Sequence, residues 1–353
     1  MNANSKRGNK DLLTVVSLFA GAGGLDIGVC RTKKVGRLFS TDSHKVFLQT
    51  IVENMPTHFP KVRHSHLVAD AIDLTGPMIR KSLGTINVDL VIGGPPCDDF
   101  TSTGRKRGAQ GDKAPLIFQF ARLVGELQPR AFLFENVPNL KKMCGRALDA
   151  LNKQFKSYNY WLRESILDAS AYGVPSIRKR IFIAGFKDID AANLFQFPEP
   201  LYVGPSKQQT LFVGARVPPT LVTVGQVLRD LPDVTCPGAK KFLNHTGRMH
   251  RPETIEHLKT VPQGVAVRKS YRYRAPWDAL CRSLTAGVDD ATKSYIHPIY
   301  DREMSVREYA RIHGFPDSWA FSGNHHNGIK QVANAVPVLL SSAVLRSVVT
   351  ALE

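Results

Sequence analysis

The chain has 353 residues, which is enough for one large domain or two smaller ones. Its hydrophobic fraction of 43% excludes a disordered polypeptide. Lysine and arginine outnumber aspartate and glutamate by 47 to 30, and the formal charge of +17 indicates a polyanionic partner, nucleic acid above all. The five cysteines are odd in number and include no C-x-x-C pair, which argues against a disulfide framework or a structural metal site and favours a reducing, intracellular setting.

The N-terminus resembles a secretory signal, because Lys6, Arg7 and Lys10 precede the apolar run Leu12–Ala20. We interpret this run instead as the first strand of a core, since a glycine-rich turn follows it directly. No apolar stretch approaches the roughly 18–20 residues of a membrane span, so we expect no membrane partner.

Short apolar runs alternate with helical segments through the first half of the chain. Strands are predicted at Leu13–Phe19, Gly36–Thr41, His66–Ala69, Val88–Ile92 and Ala131–Phe134, and helices at Ala114–Leu127 and Asn139–Phe155. Nearly continuous apolar runs are typical of parallel strands covered on both faces, so the pattern predicts a doubly wound, mostly parallel α/β sheet. Trp161–Leu167 and Arg180–Gly185 are predicted to form a terminal hairpin.

Prolines, glycines and basic residues become frequent beyond residue 188. We therefore predict a main domain formed by residues 1–188 and 325–353, and a smaller second domain with its hinge at residues 189–324. The apolar stretch Gln331–Leu352 is predicted to be helical and to pack on the main domain.

The first predicted strand runs into the glycine-rich segment Ser17–Gly28. Gly21, Gly23 and Gly24 allow a tight turn and the close approach of a ligand, and the helix that follows offers free N–H groups to an anion. Asp26 stands where a dinucleotide fingerprint has its third glycine, which disfavours a nicotinamide or flavin cofactor. An ordinary glycine turn is the alternative.

Two acidic residues follow the next two predicted strands. Asp42 lies 21 positions after Gly21, where a carboxylate can reach the ribose hydroxyls of a nucleoside. Asp70 could accept a hydrogen bond from an adenine amino group. Each alone is also typical of a turn, but with the glycine loop they predict a pocket for an adenosine that bears a carboxylate.

The fourth predicted strand leads into G-G-P-P-C, in which two glycines and two prolines hold Cys97 at the carboxyl edge of the sheet. Open α/β sheets bind their ligands at this edge. A buried, inert cysteine is the alternative, but the position beside the glycine loop favours a nucleophile.

Three further charged residues are candidates for chemistry. Glu135 ends the strand in A-F-L-F-E-N-V, where burial should raise its pKa and let it protonate a ring nitrogen, unless the Glu-Asn pair only caps a helix. Arg178 and Arg180 alternate along a strand and should point to one face, towards a carbonyl oxygen, a phosphate or Glu135. The alternative is a solvated edge strand.

These segments follow the order found in DNA (cytosine-5) methyltransferases, which the chain resembles over nearly its whole length. R-S-L-T at Arg282–Thr285 and Q-V-A-N-A-V-P at Gln331–Pro337 add to the resemblance. It implies a Rossmann-like, S-adenosylmethionine-dependent methyltransferase fold with a smaller target-recognition domain. It also implies a monomeric cytoplasmic enzyme, bacterial or phage-encoded, that acts on duplex DNA, with or without a restriction endonuclease acting independently.

The resemblance further implies residue roles. Cys97 adds to carbon 6 of a flipped-out cytosine, Glu135 engages its ring nitrogen 3, and Arg180, supported by Arg178, holds its carbonyl oxygen. Carbon 5 then takes the methyl group, and loss of its proton releases the cysteine. The residues expected at the donor site are Phe19, Gly21, Gly23, Gly24, Asp42, Asp70, Pro95 and Asn334.

Three positions depart from the family pattern. Asp98 and Ser176 stand where glutamine is usual, and Ala333 replaces a glycine. A carboxylate at position 98 would raise the pKa of Cys97 unless a basic residue offsets it.

DNA contacts are expected from two regions. The stretch Asp98–Lys113 is predicted to be a lid over the flipped base, with phosphate contacts from Thr101, Ser102, Arg105, Lys106 and Arg107. The second domain is predicted to read the sequence, with candidates Arg248, Arg251, Arg268, Arg272 and Arg274. For Arg268–Arg274, a half-buried strand with a solvated basic face is the alternative.

Two other functions fit the same residues less well. A transfer RNA cytosine-5 methyltransferase of the same scaffold is the main alternative, and the basic second domain favours DNA over it. A DNA-binding regulator without catalysis would not need Cys97, Glu135 and Arg180 together.

Overall fold

The computed structural model describes residues 12–96, 114–140, 145–203, 220–248, 250–266, 273–285 and 295–353. Their central feature is a seven-stranded sheet with the order β3-β2-β1-β4-β5-β8-β6. Its strands are β1 (Leu13–Leu18), β2 (Val35–Asp42), β3 (Arg63–Val68), β4 (Leu90–Gly93), β5 (Ala131–Asn136), β6 (Trp161–Asp168) and β8 (Lys179–Phe186).

The first five strands are parallel, and β8 lies antiparallel between β5 and β6. This confirms the predicted doubly wound sheet and the antiparallel hairpin at its end. Short strand pairs lie outside the sheet, between β7 (Ser176–Ile177) and β10 (Cys281–Arg282) and between β9 (Tyr273–Arg274) and β11 (Tyr295–Ile296).

Helices cover both faces of the sheet. In the described residues they are α1 (Gly24–Cys30), α2 (Lys45–His58), α3 (Gly76–Leu83), α4 (Ala114–Leu127), α5 (Gly145–Ser157), α6 (Ile189–Leu194), α7 (Val224–Leu228), α8 (Pro252–Lys259), α9 (Val306–Ile312), α10 (His325–Asn334) and α11 (Val338–Ala351). Alternate strand residues face opposite ways, so Val15 packs with α1, α2 and α11 while Val16 packs with α3, α4 and α5.

The apolar stretch Gln331–Leu352 is helical, as predicted, apart from a break between α10 and α11. The chain leaves α10 at Ala335 and begins α11 after Pro337, whose ring cannot continue a helical hydrogen-bond ladder. The expectation that no apolar stretch reaches membrane length is wrong. The segment His325–Ala351, which contains α10 and α11, is long and apolar enough to cross a membrane, by length and composition only. This segment is mostly buried, and α11 packs against α1 in the core.

Many apolar residues between positions 189 and 324 belong to the same hydrophobic core as the sheet. Val224, Tyr273 and Tyr309 belong to the same apolar cluster as Val15 and Val344. A separate small cluster consists of Leu258, Val261 and Ile296. The division into two domains stays a prediction, and the described contacts bind the two regions closely.

Candidate active site

A cavity lies at the carboxyl ends of β1 to β4. Phe19 follows β1, Asp42 ends β2, Asp70 follows β3 and Pro96 follows β4, and all four line the cavity. The sheet therefore brings together three residues that the sequence analysis assigned to the donor site. Pro96 lines the cavity where Pro95 was expected.

The glycine loop leaves open space at one position. Gly21 has φ of +57°, and a Cβ there would meet no atom of the described residues within 4 Å. Its backbone N–H donates to Asp42 Oδ2 at 2.9 Å, while Asp42 Oδ1 accepts from the His44 N–H at 2.8 Å. Asp42 thus holds the loop in shape as well as facing the cavity.

Gly23 and Gly24 have packing roles that the sequence analysis did not predict. A Cβ on Gly23 would lie 3.1 Å from the Trp319 ring, and one on Gly24 would lie 2.3 Å from the Val336 carbonyl oxygen. Their missing side chains let α1 approach the C-terminal segment closely. Asn334 is exposed at the end of α10 and does not line the cavity.

The start of α1, where the glycine loop predicts an anion site, carries a buried carboxyl group. Asp26 lies in the first turn of this short helix and is completely buried. Its burial raises its pKa to about 6, although hydrogen bonds from Ser40 and Ser17 oppose the rise. The anion site at the start of α1 stays a prediction.

Glu135 and Arg180 form an ion pair at the end of β5. Arg180 Nε lies 2.9 Å from Glu135 Oε1, and both side chains are largely buried. Burial raises the pKa of Glu135, as the sequence analysis expected, although Arg180 and Arg178 pull it down. Such a carboxyl group binds a proton more readily than an exposed one does, and it still lies beside a fixed positive charge.

Residues around this pair fix its position. A Cβ on Gly94 would lie 2.5 Å from Glu135 Oε2, so only glycine leaves room for the carboxylate. Asn136 Nδ2 donates to the Pro95 carbonyl at 3.2 Å, and its Oδ1 accepts from the Val137 N–H. The Glu-Asn pair therefore joins β5 to the segment that leads to Cys97, rather than capping a helix. The sequence did not predict this role for Asn136.

The described hydrogen bonds of Arg178 go mainly to backbone carbonyls. It is buried between β7 and β8, and its guanidinium donates to the carbonyls of Leu284, Ala333 and Ala335 and to the Ser283 hydroxyl. It still lies close enough to lower the pKa of Glu135. Its main contacts join three chain segments, so it acts on the site through backbone position and charge.

His313 was missed by the sequence analysis. Its ring is fully buried at the end of α9, and neither ring nitrogen has a hydrogen-bond partner among the residues that the structure describes. Burial together with Arg178 and Arg180 lowers its pKa well below the ordinary value, so the imidazole is neutral. Only the fold reveals this proximity, because residues 178 and 313 are distant in sequence.

The candidates for DNA contact divide into three groups. Arg248 and Arg251 are exposed, next to the N-terminal end of α8. Arg274 is 5% exposed and donates to the carbonyls of Leu258, Val261, His297 and Tyr300 and to Asp301, so its predicted role in reading bases is wrong. The others lie outside the described residues: Thr101, Ser102, Arg105, Lys106, Arg107, Arg268 and Arg272.

Cys97 and the predicted lid Asp98–Lys113 also lie outside the described residues. The described chain reaches Pro96, at the edge of the cavity. Ser176, one of the three departures, donates from its hydroxyl to the Arg282 carbonyl at 3.1 Å and so joins β7 to β10. Ala333 supplies a carbonyl to Arg178.

Comparison with known proteins gives a consistent result. The family model described as C-5 cytosine-specific DNA methylase matches residues 13–350. The Type II methyltransferase M.Eco47II of Escherichia coli is 30% identical over 371 aligned residues, covering 98% of this chain and 81% of that protein. The Type II methyltransferase M1.HphI of Haemophilus parahaemolyticus is 28% identical, covering 95% of this chain and 86% of that protein.

Solved structures show the same fold. A protein described as a DNA modification methyltransferase encoded within an E. coli prophage superposes with a TM-score of 0.73 at 24% identity, covering 96% of this chain and 99% of that one. The S. pombe Dnmt2 methyltransferase superposes with a TM-score of 0.63 at 15% identity, covering 97% and 99% of the two chains.

Proposed function

Because the chain belongs to the C-5 cytosine-specific DNA methylase family, we propose that it transfers a methyl group from S-adenosylmethionine to a cytosine flipped out of duplex DNA, with Cys97 as nucleophile. The family makes the chain a DNA cytosine-5 methyltransferase. The proposal concerns the donor, the nucleophile and the residues that hold the base. The observation that carries it is the buried Glu135–Arg180 pair beside the cavity at the sheet edge.

The residues at the cavity fit an adenosine-containing donor. Asp42 retains free lone pairs for ribose hydroxyls beyond its two backbone hydrogen bonds. Phe19 offers an aromatic wall, Asp70 is an exposed acceptor at the rim, and Gly21 leaves open space. S-adenosylmethionine, when bound, would supply an electrophilic methyl group to the base.

The protein's own groups account for the activation of cytosine. Cys97 would add its sulfur to carbon 6, which breaks the aromaticity of the ring and makes carbon 5 nucleophilic. Glu135, with its raised pKa, would share a proton with ring nitrogen 3 and so stabilise the negative charge that develops on the ring when the sulfur adds. Arg180 would hold the carbonyl oxygen while it keeps Glu135 in place.

The substrate and partners follow from charge and family. Exposed basic residues at positions 240, 241, 248 and 251 lie in one stretch of the chain and suit a phosphate backbone. Residues 189–324 would recognise a short target sequence. We further propose that the enzyme is monomeric, acts in a bacterial cytoplasm, and modifies the site of a restriction endonuclease that works independently.

Bisulfite sequencing of DNA from cells that express the chain tests this proposal. We expect protected cytosines within one short sequence context and none in cells that express Cys97→Ala. Unprotected DNA together with protected cytosines in cellular transfer RNA would contradict it and favour the alternative substrate. Structures of Dnmt2 proteins share the fold only, so they do not favour that alternative.

A further inference from the structure

A fully buried carboxyl group lies beneath the glycine loop, and the chemistry proposed above does not use it. Asp26 Oδ2 accepts a hydrogen bond from Ser17 Oγ at 2.9 Å, and Oδ1 accepts one from Ser40 Oγ at 2.6 Å. All three residues are completely buried. Burying an ionisable group is unfavourable unless fixed hydrogen bonds offset the loss of water, so an apolar residue would fill this space at lower cost.

The two serines lie directly opposite each other in the sheet. Ser17 of β1 pairs in register with Ser40 of β2. Ser17 lies two residues before Phe19, and Ser40 lies two residues before Asp42. Phe19 and Asp42 both line the cavity, so the carboxyl group of Asp26 ties together the strand ends that carry two of its walls.

The same network extends in two directions. His64 Nε2 of β3 lies 3.1 Å from Ser40 Oγ, which adds the strand that precedes Asp70. On the side of the loop, Asp42 accepts from the Gly21 N–H. Three strands and the first turn of α1 therefore meet through hydrogen bonds that converge on Asp26, while Asp42, at the end of one of these strands, separately holds the glycine loop.

We propose that Asp26 is a positioning residue for the methyl-donor site, which holds Phe19 and Asp42 at the separation that the adenosine part of the donor needs. The inference rests on the proposed function, since it assumes that the donor occupies this cavity. A preformed cavity binds its ligand without first having to order its walls. Loss of the bridge should therefore weaken donor binding more than it slows the chemical step.

Binding of S-adenosylmethionine and of its product S-adenosylhomocysteine, measured by calorimetry without DNA, tests the inference. Asp26→Ala removes both hydrogen bonds, and we expect about tenfold weaker binding of both ligands. Asp26→Asn keeps an acceptor and can donate to the second serine, so we expect affinity within about threefold of wild type. In turnover, Asp26→Ala should raise the KM for the donor and leave the rate at saturating donor nearly unchanged.

Tyr160→Phe is the matched control. It also removes one buried hydrogen bond, from the Tyr160 hydroxyl to the Pro129 carbonyl, but near the other end of the sheet. Its donor affinity should equal that of wild type. Equal weakening in Tyr160→Phe and Asp26→Ala would overturn the inference, because any loss of stability would then produce the effect.

Other outcomes are also decisive. A folded Asp26→Ala protein that binds the donor as tightly as wild type overturns the inference. Should Asp26→Ala fail to fold, Ser17→Ala and Ser40→Ala each remove one hydrogen bond, and unchanged affinity in both would likewise overturn it. Wild-type protein that binds no S-adenosylmethionine would instead refute the proposed donor, and with it the proposed function.

Discussion

At the scale of single residues, the site depends on a carboxyl group that is both buried and paired. The Glu135 side chain fits only because Gly94 has no Cβ, and Arg180 fixes its orientation. Burial raises the pKa of Glu135, and Arg180 and Arg178 oppose that rise. Such opposing influences are typical of groups that must give and take a proton during a reaction.

Glu135→Gln should therefore abolish proton sharing with the base while preserving the shape of the site. We expect the single-turnover rate of methyl transfer to fall by about 100-fold or more, with little change in donor affinity. Rapid-quench measurement with excess enzyme gives this rate. Asp149→Asn, which removes an exposed carboxylate on α5, is the control, and a similar loss in that variant would contradict the assignment.

Arg274 shows why burial decides the role of an arginine. Its guanidinium satisfies four carbonyl groups and Asp301, so Arg274→Ala would leave several buried acceptors without a donor. We expect a loss of about 3–5 kcal/mol in the free energy of unfolding, measured by urea denaturation. A stable variant with altered sequence preference would instead restore the role predicted from sequence.

Arg251→Ala should behave in the opposite way, because Arg251 is exposed. Its unfolding free energy should stay within about 0.5 kcal/mol of wild type. The slope of log affinity for duplex DNA against log salt should fall by about one. An unchanged slope would exclude Arg251 from the phosphate contacts.

At the scale of elements, the glycine loop is held in place because α1 lies very close to the backbone at Val336. Gly24→Ala would place a Cβ 2.3 Å from the Val336 carbonyl oxygen, and backbone cannot yield as a flexible side chain can. We expect a loss of about 1–3 kcal/mol, visible as a lower Tm. At Gly238 the nearest atom would lie 3.9 Å away, so Gly238→Ala should leave the Tm nearly unchanged.

The junction of β1, β2 and α1 also predicts a pH dependence of stability. Burial raises the pKa of Asp26 from 3.8 to about 6, so the folded state binds this proton more tightly than the unfolded state does. The contribution of this proton to the free energy of unfolding is fully present below about pH 4 and is lost as the pH rises through 6. The total loss is about 3 kcal/mol. Asp26→Asn should lack this loss.

Chemical denaturation between pH 4.5 and 8 provides the measurement. The stability of Asp26→Asn relative to wild type should increase up to about pH 6 and then level off. His64, whose burial lowers its pKa to about 4, acts in the opposite direction and is present in both proteins. A constant difference across the range would show that Asp26 does not titrate there.

At the scale of the whole molecule, the strand pattern predicted the doubly wound sheet because parallel strands must be apolar on both faces. The same pattern placed Phe19, Asp42 and Asp70 at one edge, where the structure brings them to one cavity. It could not reveal which arginines are buried, because Arg178 and Arg274 bond to carbonyls from distant segments. Nor could it place His313 beside Arg178, since tertiary packing alone creates that contact.

The most direct test of the account is the covalent adduct between the protein and a duplex whose target cytosine carries fluorine at carbon 5. Fluorine cannot leave as a proton does, so the cysteine should remain attached after methyl transfer. With S-adenosylmethionine present, we predict a denaturant-resistant adduct whose modified peptide contains Cys97, and no adduct with Cys97→Ala. An adduct that forms equally in Cys97→Ala, or none in a protein that methylates ordinary cytosine, would contradict the mechanism.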